Sequence, residues 1–260
     1  GPLARSLAST LSYYDTLGRT WERQALIKVR PAAGDLVVGQ RFLQAVEPFV
    51  YRKYLTFAEI NEIKALKRRI EQKAQRAGVS ATEVKTGRGG IRDIEFTIQF
   101  LQLLNGGDLP AVRQRNTLLA LQALEKAGCL TDQEYRVLDD AYRFLRKTEH
   151  RLQLLFDLQT HRLPDDDGEL RQLAQRMGYS PAGGGRPDPA AAFRADYRDK
   201  TEPTRRILDH LLHQTFAGEA GAEPESDLIL DTNPDPETIR SVLGRYPFRD
   251  VPGAYSNLVQ

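Results

Sequence analysis

The stretch that decides the fold runs from Thr131 to Phe156 and reads TDQEYRVLDDAYRFLRKTEHRLQLLF. Its apolar residues recur at the period of a helix with one buried face. They are Leu138, Tyr142, Leu145, Leu152 and Phe156. Thr131 with Glu134 three residues later is typical of a capping box at a helix N-terminus. We therefore predict a long amphipathic helix that continues almost to Pro164.

Helical periodicity extends to both sides of this stretch, and alternating strand patterns are almost absent. Glycine, proline and capping residues divide the pattern into further predicted helices. These are expected at 6–17, 20–30 with Thr20 as N-cap, 35–54 with a kink at Pro48, 57–77, 91–104, 116–127, 165–176, 190–216 and 236–243. The predicted fold is an all-α helical bundle. We expect a helical domain at 1–216, a polar linker at 217–235 and the start of a further helical segment at 236–260.

Composition limits the function classes. The 260 residues carry 37 lysines and arginines against 35 acidic residues, so any anion site must be local. The near-neutral charge disfavours nucleic-acid binding. A single cysteine, Cys129, excludes an intrachain disulfide and fits a cytoplasmic protein. No apolar run approaches the roughly 20 residues that span a bilayer, so no membrane association is expected.

The most unusual segment is KTGRGGIRDIEF at 85–96. Three glycines precede a predicted helix, and they are Gly87, Gly89 and Gly90. A helix N-terminus with free N–H groups favours a phosphate, and Lys85, Arg88 and Arg92 would add positive charge. One interpretation is therefore a phosphate or nucleotide cradle. The other is a tight loop whose glycines permit close helix packing.

A second segment, which is rich in charged residues, begins at Trp21 and Glu22. On one helix, Arg23 and Arg30 would share a face, so that two guanidinium groups could grip a phosphate or a carboxylate. A surface ion-pair helix is the alternative. The long helix also carries a basic run, whose members are Arg143, Arg146, Lys147, His150 and Arg151, and a solvated face explains most such runs.

No set of residues in the sequence predicts a metal site or a catalytic nucleophile. Asp93 and Glu95 point about 200° apart on a helix, so they cannot share one ion. At most one of them faces a ligand, and the other is a cap or ion-pair partner. The aspartates at 165–167 open a helix, where capping explains them. His210 and His213 lack a third ligand.

Several blocks resemble the glutamine synthetase adenylyltransferase/deadenylylase family. The blocks are GRTWER at 18–23 with KVR at 28–30, PFVYRKY at 48–54, GRGGIRDIEF at 87–96, FLR at 144–146, Glu149, Leu152 with Gln153, 159–164, and FRD at 248–250 with Asn257 and Leu258. The blocks occur in the same order as in that family, and together they extend over nearly the whole chain. The resemblance implies an enzyme with two nucleotidyltransferase halves, each a mixed α/β core followed by a helical domain.

The block at 48–54 is similar to the N-terminal half, which removes AMP from a tyrosine of glutamine synthetase by phosphorolysis. The resemblance implies that Arg23, Lys28, Arg30 and 85–90 line a cleft facing the core, supported by Asp93 or Glu95. The family's metal-binding aspartates have no match here. We therefore expect no catalysis and no bound cofactor in the isolated chain, and Mg²⁺ with ATP or ADP only in the full-length enzyme.

The resemblance also implies three partners: glutamine synthetase, a nitrogen-regulatory signalling protein and the rest of the same enzyme. An alternative from another function class is a protein-interaction module that docks glutamine synthetase or the regulator without contacting nucleotide. Charge reversal on the basic run of the long helix would separate these two hypotheses.

Overall fold

A computed structural model describes residues 4–53, 59, 62–63, 65, 82–156, 160–180, 188–217, 236–246, 248 and 250–258. In these ranges the chain is helical, with α1 at Leu7–Thr16, α2 at Thr20–Leu26, α3 at Leu36–Val50, α4 at Ile91–Asn105, α5 at Thr117–Lys126, α6 at Asp132–Phe156, α7 at Asp167–Met177, α8 at Pro189–Ala217, α9 at Pro236–Leu243 and α10 at Val251–Leu258. A 3₁₀ turn spans Pro110–Val112. The predicted all-α fold is confirmed.

Helix α4 is the centre of the bundle because it is buried on two faces. Ile94 and Ile98 belong to the main core, which α5, α6, α7 and α8 complete. Phe96 and Phe100 belong to a second apolar cluster, which α2 and α3 complete. Both faces of α4 carry large apolar residues, so the helix is buried on both sides and joins the two clusters.

The long helix α6 forms as its sequence predicts. Leu138, Tyr142, Leu145 and Leu152 are all buried, whereas the side chain of Phe156 lies outside the described residues. The capping box is present, since the Glu134 amide donates to Thr131 Oγ1 over 3.2 Å and the Thr131 amide donates to Glu134 Oε2 over 2.8 Å.

Two helices end earlier than predicted. Helix α2 stops at Leu26 rather than continuing to 30, because the Lys28 and Val29 amides donate to carbonyls three residues back in a tighter turn. Thr20 is not its N-cap. That position belongs to Arg19, whose amide donates to Glu22 Oε2 over 2.9 Å. Helix α3 ends at Val50, not at 54.

Residues 160–163, which follow α6 in the described part of the chain, are extended rather than helical. The Val84 amide donates to the His161 carbonyl and the Leu163 amide donates to the Thr82 carbonyl, both over 2.8 Å. The expected continuation of the helix almost to Pro164 is therefore wrong. The short antiparallel bridge instead ties the loop before α4 to the chain after α6, which positions the glycine-rich segment.

The remaining predicted boundaries are only partly covered. Most of the helix expected at 57–77 and nearly all of the linker expected at 217–235 lie outside the described residues. Helices α9 and α10 pack on each other in a small apolar cluster around Val242 and Leu243. Among the described helices, none combines the length and the apolar content that crossing a bilayer requires.

Candidate functional site

The amides of the three loop glycines and of the first two residues of α4 are already in use. The Gly87 amide donates to the Glu83 carbonyl, and the Gly90 amide donates to the Gly87 carbonyl. The first two amides of α4 donate to the carbonyls of Val84 and Lys85, over 3.2 and 2.9 Å. These are the groups that a phosphate would need at a helix N-terminus. The premise of a cradle of free amides is therefore wrong for this loop.

The glycines serve close packing instead. Gly89 adopts a φ of +72°, and a Cβ at this position would collide with the backbone carbonyl of Thr201 on α8. A Cβ on Gly90 would lie 2.7 Å from the carbonyl oxygen of Gly87. The loop thus lies directly on α8, at a distance that a side chain would prevent.

Asp93 and Glu95 point to different neighbours, as the helical spacing predicts. Asp93 Oδ2 accepts a hydrogen bond of 2.9 Å from the Gly89 amide, which fixes the loop at the start of α4. Glu95 Oε1 accepts one of 2.7 Å from the Tyr142 hydroxyl on α6. The two carboxylates therefore act in separate places.

A row of polar side chains follows one face of α6. Tyr142, Arg146 and Glu149 have the i, i+4, i+7 spacing that places them side by side. Arg146 Nη1 lies 2.6 Å from Glu149 Oε2. The other oxygen, Oε1, lies 3.1 Å from His161 Nδ1 and 3.7 Å from Lys85 Nζ. Glu149 is 2% exposed, so this carboxylate is buried among basic groups.

Lys28 extends the row at its other end. Its Nζ donates to the Arg115 carbonyl over 2.7 Å and to Thr117 Oγ1 over 2.8 Å. Burial lowers the pKa of Lys28, and the charge of Glu95 opposes that shift. Burial also raises the pKa of the Tyr142 hydroxyl to about 12, so this group is a neutral hydrogen-bond donor at physiological pH.

We call this row the polar strip. It consists of Lys28, Glu95, Tyr142, Arg146, Glu149, Lys85 and His161. Three lysine or arginine side chains and a histidine face two carboxylates. The side chains of Lys85 and Arg146 remain 38% and 39% exposed, so their outer N–H groups are available to an anion. The buried Glu149 carboxylate holds these two cations in fixed positions, which is what recognition of a phosphate requires.

The other residues predicted for the same cleft lie elsewhere. Arg23 is 1% exposed, and its guanidinium donates to the Val50 carbonyl and to Glu59 Oε1, so it joins α2 to the end of α3. Burial lowers the pKa of Arg23, while Glu59 raises it. Arg30 is exposed beyond the end of α2. The predicted pairing of Arg23 and Arg30 on one helical face is wrong because the helix ends between them.

Other residues of the block that contains Arg23 make local contacts that stabilise the start of α2. Glu22 accepts hydrogen bonds from the Arg19 amide and from the Tyr13 hydroxyl, while Trp21 is 55% exposed. Arg88 turns away from the polar strip, toward a groove beside α8. Of the predicted cleft residues, the strip therefore brings together Lys28, Lys85 and Glu95.

The basic run of α6 divides between two environments. Arg143 pairs with Asp139 over 2.7 Å on the exposed surface, and Lys147 Nζ donates to the Met177 carbonyl. Only Arg146 enters the strip. Tyr142, Glu149 and His161 were not predicted as site residues. The spacing of Tyr142, Arg146 and Glu149 is the sequence signal that could have found two of them.

The described residues offer no group suited to Mg²⁺. Within the ranges that the structure covers, no three His, Cys, Asp or Glu side chains converge. Asp166 Oδ1 accepts from the Glu169 amide over 2.9 Å, so it caps α7 as predicted. A divalent cation prefers several carboxylate oxygens around one point, and the strip's two carboxylates instead face lysine and arginine groups.

Comparisons with known proteins match most of the chain. Residues 61–212 match the family described as GlnD PII-uridylyltransferase, and residues 1–45 match the family described as glutamate-ammonia ligase adenylyltransferase. The chain is similar to proteins named bifunctional glutamine synthetase adenylyltransferase/adenylyl-removing enzyme. Identity is 37% over 93% of this chain for the protein of Rhizobium meliloti, 46% over 88% for that of Rhodopseudomonas palustris and 41% over 94% for that of Mesorhizobium japonicum. The chain spans 24%, 23% and 24% of these relatives, respectively.

Proposed function

This chain belongs to the glutamine synthetase adenylyltransferase/adenylyl-removing enzyme family, and from that premise we propose that it is the helical part of the adenylyl-removing half. In this proposal the polar strip faces the bound nucleotide and orients its phosphates during phosphorolysis of the AMP–tyrosine bond of glutamine synthetase. The chain supplies binding and orientation, and no catalytic residue is assigned to it. Residues outside this chain would hold Mg²⁺ and ATP or ADP.

One observation carries the proposal. Lys28 comes from the block at 28–30, and Lys85 and Glu95 come from opposite ends of the glycine-rich segment at 85–96, yet all three lie on a single strip along α6. A structural ion pair needs only two partners, whereas here several basic groups surround the buried Glu149 and keep exposed N–H groups. Phosphate oxygens are the ligands that such preorganised cations bind best.

The assignment to the adenylyl-removing half rests on the block at 48–54. Within it, Phe49 and Val50 are buried in the cluster that α2, α3 and α4 share, and the Val50 carbonyl accepts from Arg23. The block therefore connects the first helices to α4, the helix that carries Glu95. We also propose a cytoplasmic location, which the single cysteine supports.

The test uses the full-length enzyme with Lys85→Ala or Arg146→Ala. We expect phosphorolytic removal of AMP from adenylylated glutamine synthetase to fall about tenfold or more, because each change deletes a charged hydrogen-bond donor to phosphate. Adenylylation, measured in the same preparations, should stay at the wild-type rate. The matched control is Lys126→Ala on the exposed end of α5, which should leave both rates unchanged.

Two results would contradict this assignment. Wild-type phosphorolysis in both variants would mean that the strip does not contact the nucleotide. An equal loss of both activities would mean that the substitutions damage the enzyme as a whole, or that the chain does not belong to the adenylyl-removing half.

The second candidate is a protein-interaction module that docks glutamine synthetase or a nitrogen-signalling protein. The Arg143–Asp139 pair on the exposed surface of α6 favours this role, because an exposed charge contributes mainly to association. Arg143→Glu should weaken binding of glutamine synthetase, measured by surface plasmon resonance, only if this face docks it. Weaker binding by Arg143→Glu, together with wild-type phosphorolysis in Lys85→Ala, would favour the second candidate.

A further inference from the structure

A groove of about 900 Å³ runs beside α8, on the side of the glycine-rich loop that Arg88 faces. We name it the basic groove and define it by Arg88, Arg194, Arg198 and Arg205 on its walls and by Leu163, Leu170 and Tyr197 on its floor. Its volume falls within the range of roughly 300–1,000 Å³ that is usual for small-molecule sites.

The arginines converge because of two features of the fold. Arg194, Arg198 and Arg205 follow one another at i, i+4 and i+11 on α8, so they lie within about 40° of each other around the helix. Arg88 comes from the opposite wall. Its position depends on Gly89, which lets the loop lie against the Thr201 carbonyl between Arg198 and Arg205.

The charges in the groove are not balanced. Arg194 pairs with Asp167 over 2.7 Å, and Arg205 lies 3.7 Å from Asp209. Within the part of the chain that the structure describes, Arg88 and Arg198 form no ion pair. Two carboxylates also line the groove, those of Asp165 and Glu202. Asp165 is bound to Arg162 over 2.7 Å, which leaves Glu202 as the only lining carboxylate, among the described residues, without an ion pair.

We propose that the basic groove is a second anion site, which binds a nucleoside diphosphate or a phosphorylated small molecule of similar build. Planar guanidinium groups match phosphate oxygens two at a time, and several of them stabilise more than one negative charge. The apolar floor beneath the arginines receives the uncharged body of the ligand. This site is separate from the polar strip, and it stands or falls independently of the function proposed above.

The experiment is calorimetric titration of the chain with ADP, inorganic pyrophosphate and adenosine. We expect saturable binding of ADP, weaker binding of pyrophosphate by at least about tenfold, and no measurable binding of adenosine alone. Equal affinities for ADP and pyrophosphate would overturn the role of the apolar floor. Absence of saturable binding of both anions at about 5 mM would overturn the site.

Variants on the two walls test the location. Arg198→Ala and Arg88→Ala should each weaken ADP binding by about tenfold or more, since each removes an exposed guanidinium without touching the core. The matched control is Arg206→Ala, which changes the next position along α8 after Arg205, outside the groove. An equal loss in this control would show attraction by diffuse charge and overturn the proposal.

A last variant separates this proposal from the previous one. Lys85→Ala removes a cation of the polar strip and should leave ADP binding in the basic groove unchanged. If ADP binding is lost in Lys85→Ala and kept in Arg198→Ala, the ligand binds the strip, and the groove proposal is overturned while the proposed function gains support.

Discussion

Gly89→Ala is the perturbation that tests most directly how the glycine-rich loop is built. At a φ of +72° an alanine is less stable than a glycine by about 1–2 kcal/mol. The new Cβ would also collide with the Thr201 carbonyl, which belongs to the backbone of α8 and cannot rotate away. Such overpacking adds about 1–3 kcal/mol. Lower entropy of the unfolded alanine chain returns about 0.4–1 kcal/mol.

Gly128→Ala is the matched control, because Gly128 has nearly the same φ, +74°, and no atom beyond its two chain neighbours lies within 4 Å of its Cβ position. We expect this variant to lose only about 1 kcal/mol. Gly89→Ala should lose about 2 kcal/mol more, which corresponds to ~4–8 °C in Tm for a chain of this size. Thermal and urea unfolding of both variants measure the difference. Equal losses would refute the close contact between the loop and α8.

Two further predictions concern the polar strip. Glu149→Gln removes the buried charge from among three basic groups, and we expect the free energy of unfolding to fall by about 1–3 kcal/mol. This loss is smaller than for a fully buried ion pair because the cations are partly hydrated. Urea unfolding at pH 7 measures the loss, and an unchanged midpoint would show that the ion pairs contribute nothing to stability. Tyr142 keeps its proton up to about pH 12 when folded but only to about pH 10 when unfolded, so its stabilising contribution is present below pH 10 and is lost as the pH rises to 12. Between pH 10 and pH 12 the unfolding free energy of the wild type should therefore fall by ~2–3 kcal/mol more than that of Tyr142→Phe. Parallel pH profiles for wild type and variant would contradict the raised pKa of Tyr142.

The glycine-rich loop contributes one side chain to the polar strip and another to the basic groove. Lys85 turns toward Glu149 on α6, and Arg88 turns toward Arg198 and Arg205 on α8. Because Gly89 and Asp93 fix the loop between these helices, the loop would connect the two anion sites that we propose.

The sequence by itself determined the fold class and most helix ends. The period of the apolar residues in α6, the capping box at Thr131 and the cap at Asp166 are local features, and each forms as predicted. Local hydrogen bonds and helical periodicity depend on residues within about one or two turns, which a single sequence contains. The divergence of Asp93 and Glu95 follows from helical geometry for the same reason.

The site depended on tertiary structure. Sequence spacing could not tell that α2 ends before Arg30, that Arg23 is buried against Val50 and Glu59, or that the amides of the glycine-rich loop are occupied. The burial of Arg23 is set by partners 27 and 36 residues away in sequence. The end of α2 and the occupied amides are set instead by turn hydrogen bonds, which helical periodicity does not reveal. Only the packing of α4, α6 and α8 decided that Lys85 and Arg88, three residues apart, serve two different surfaces.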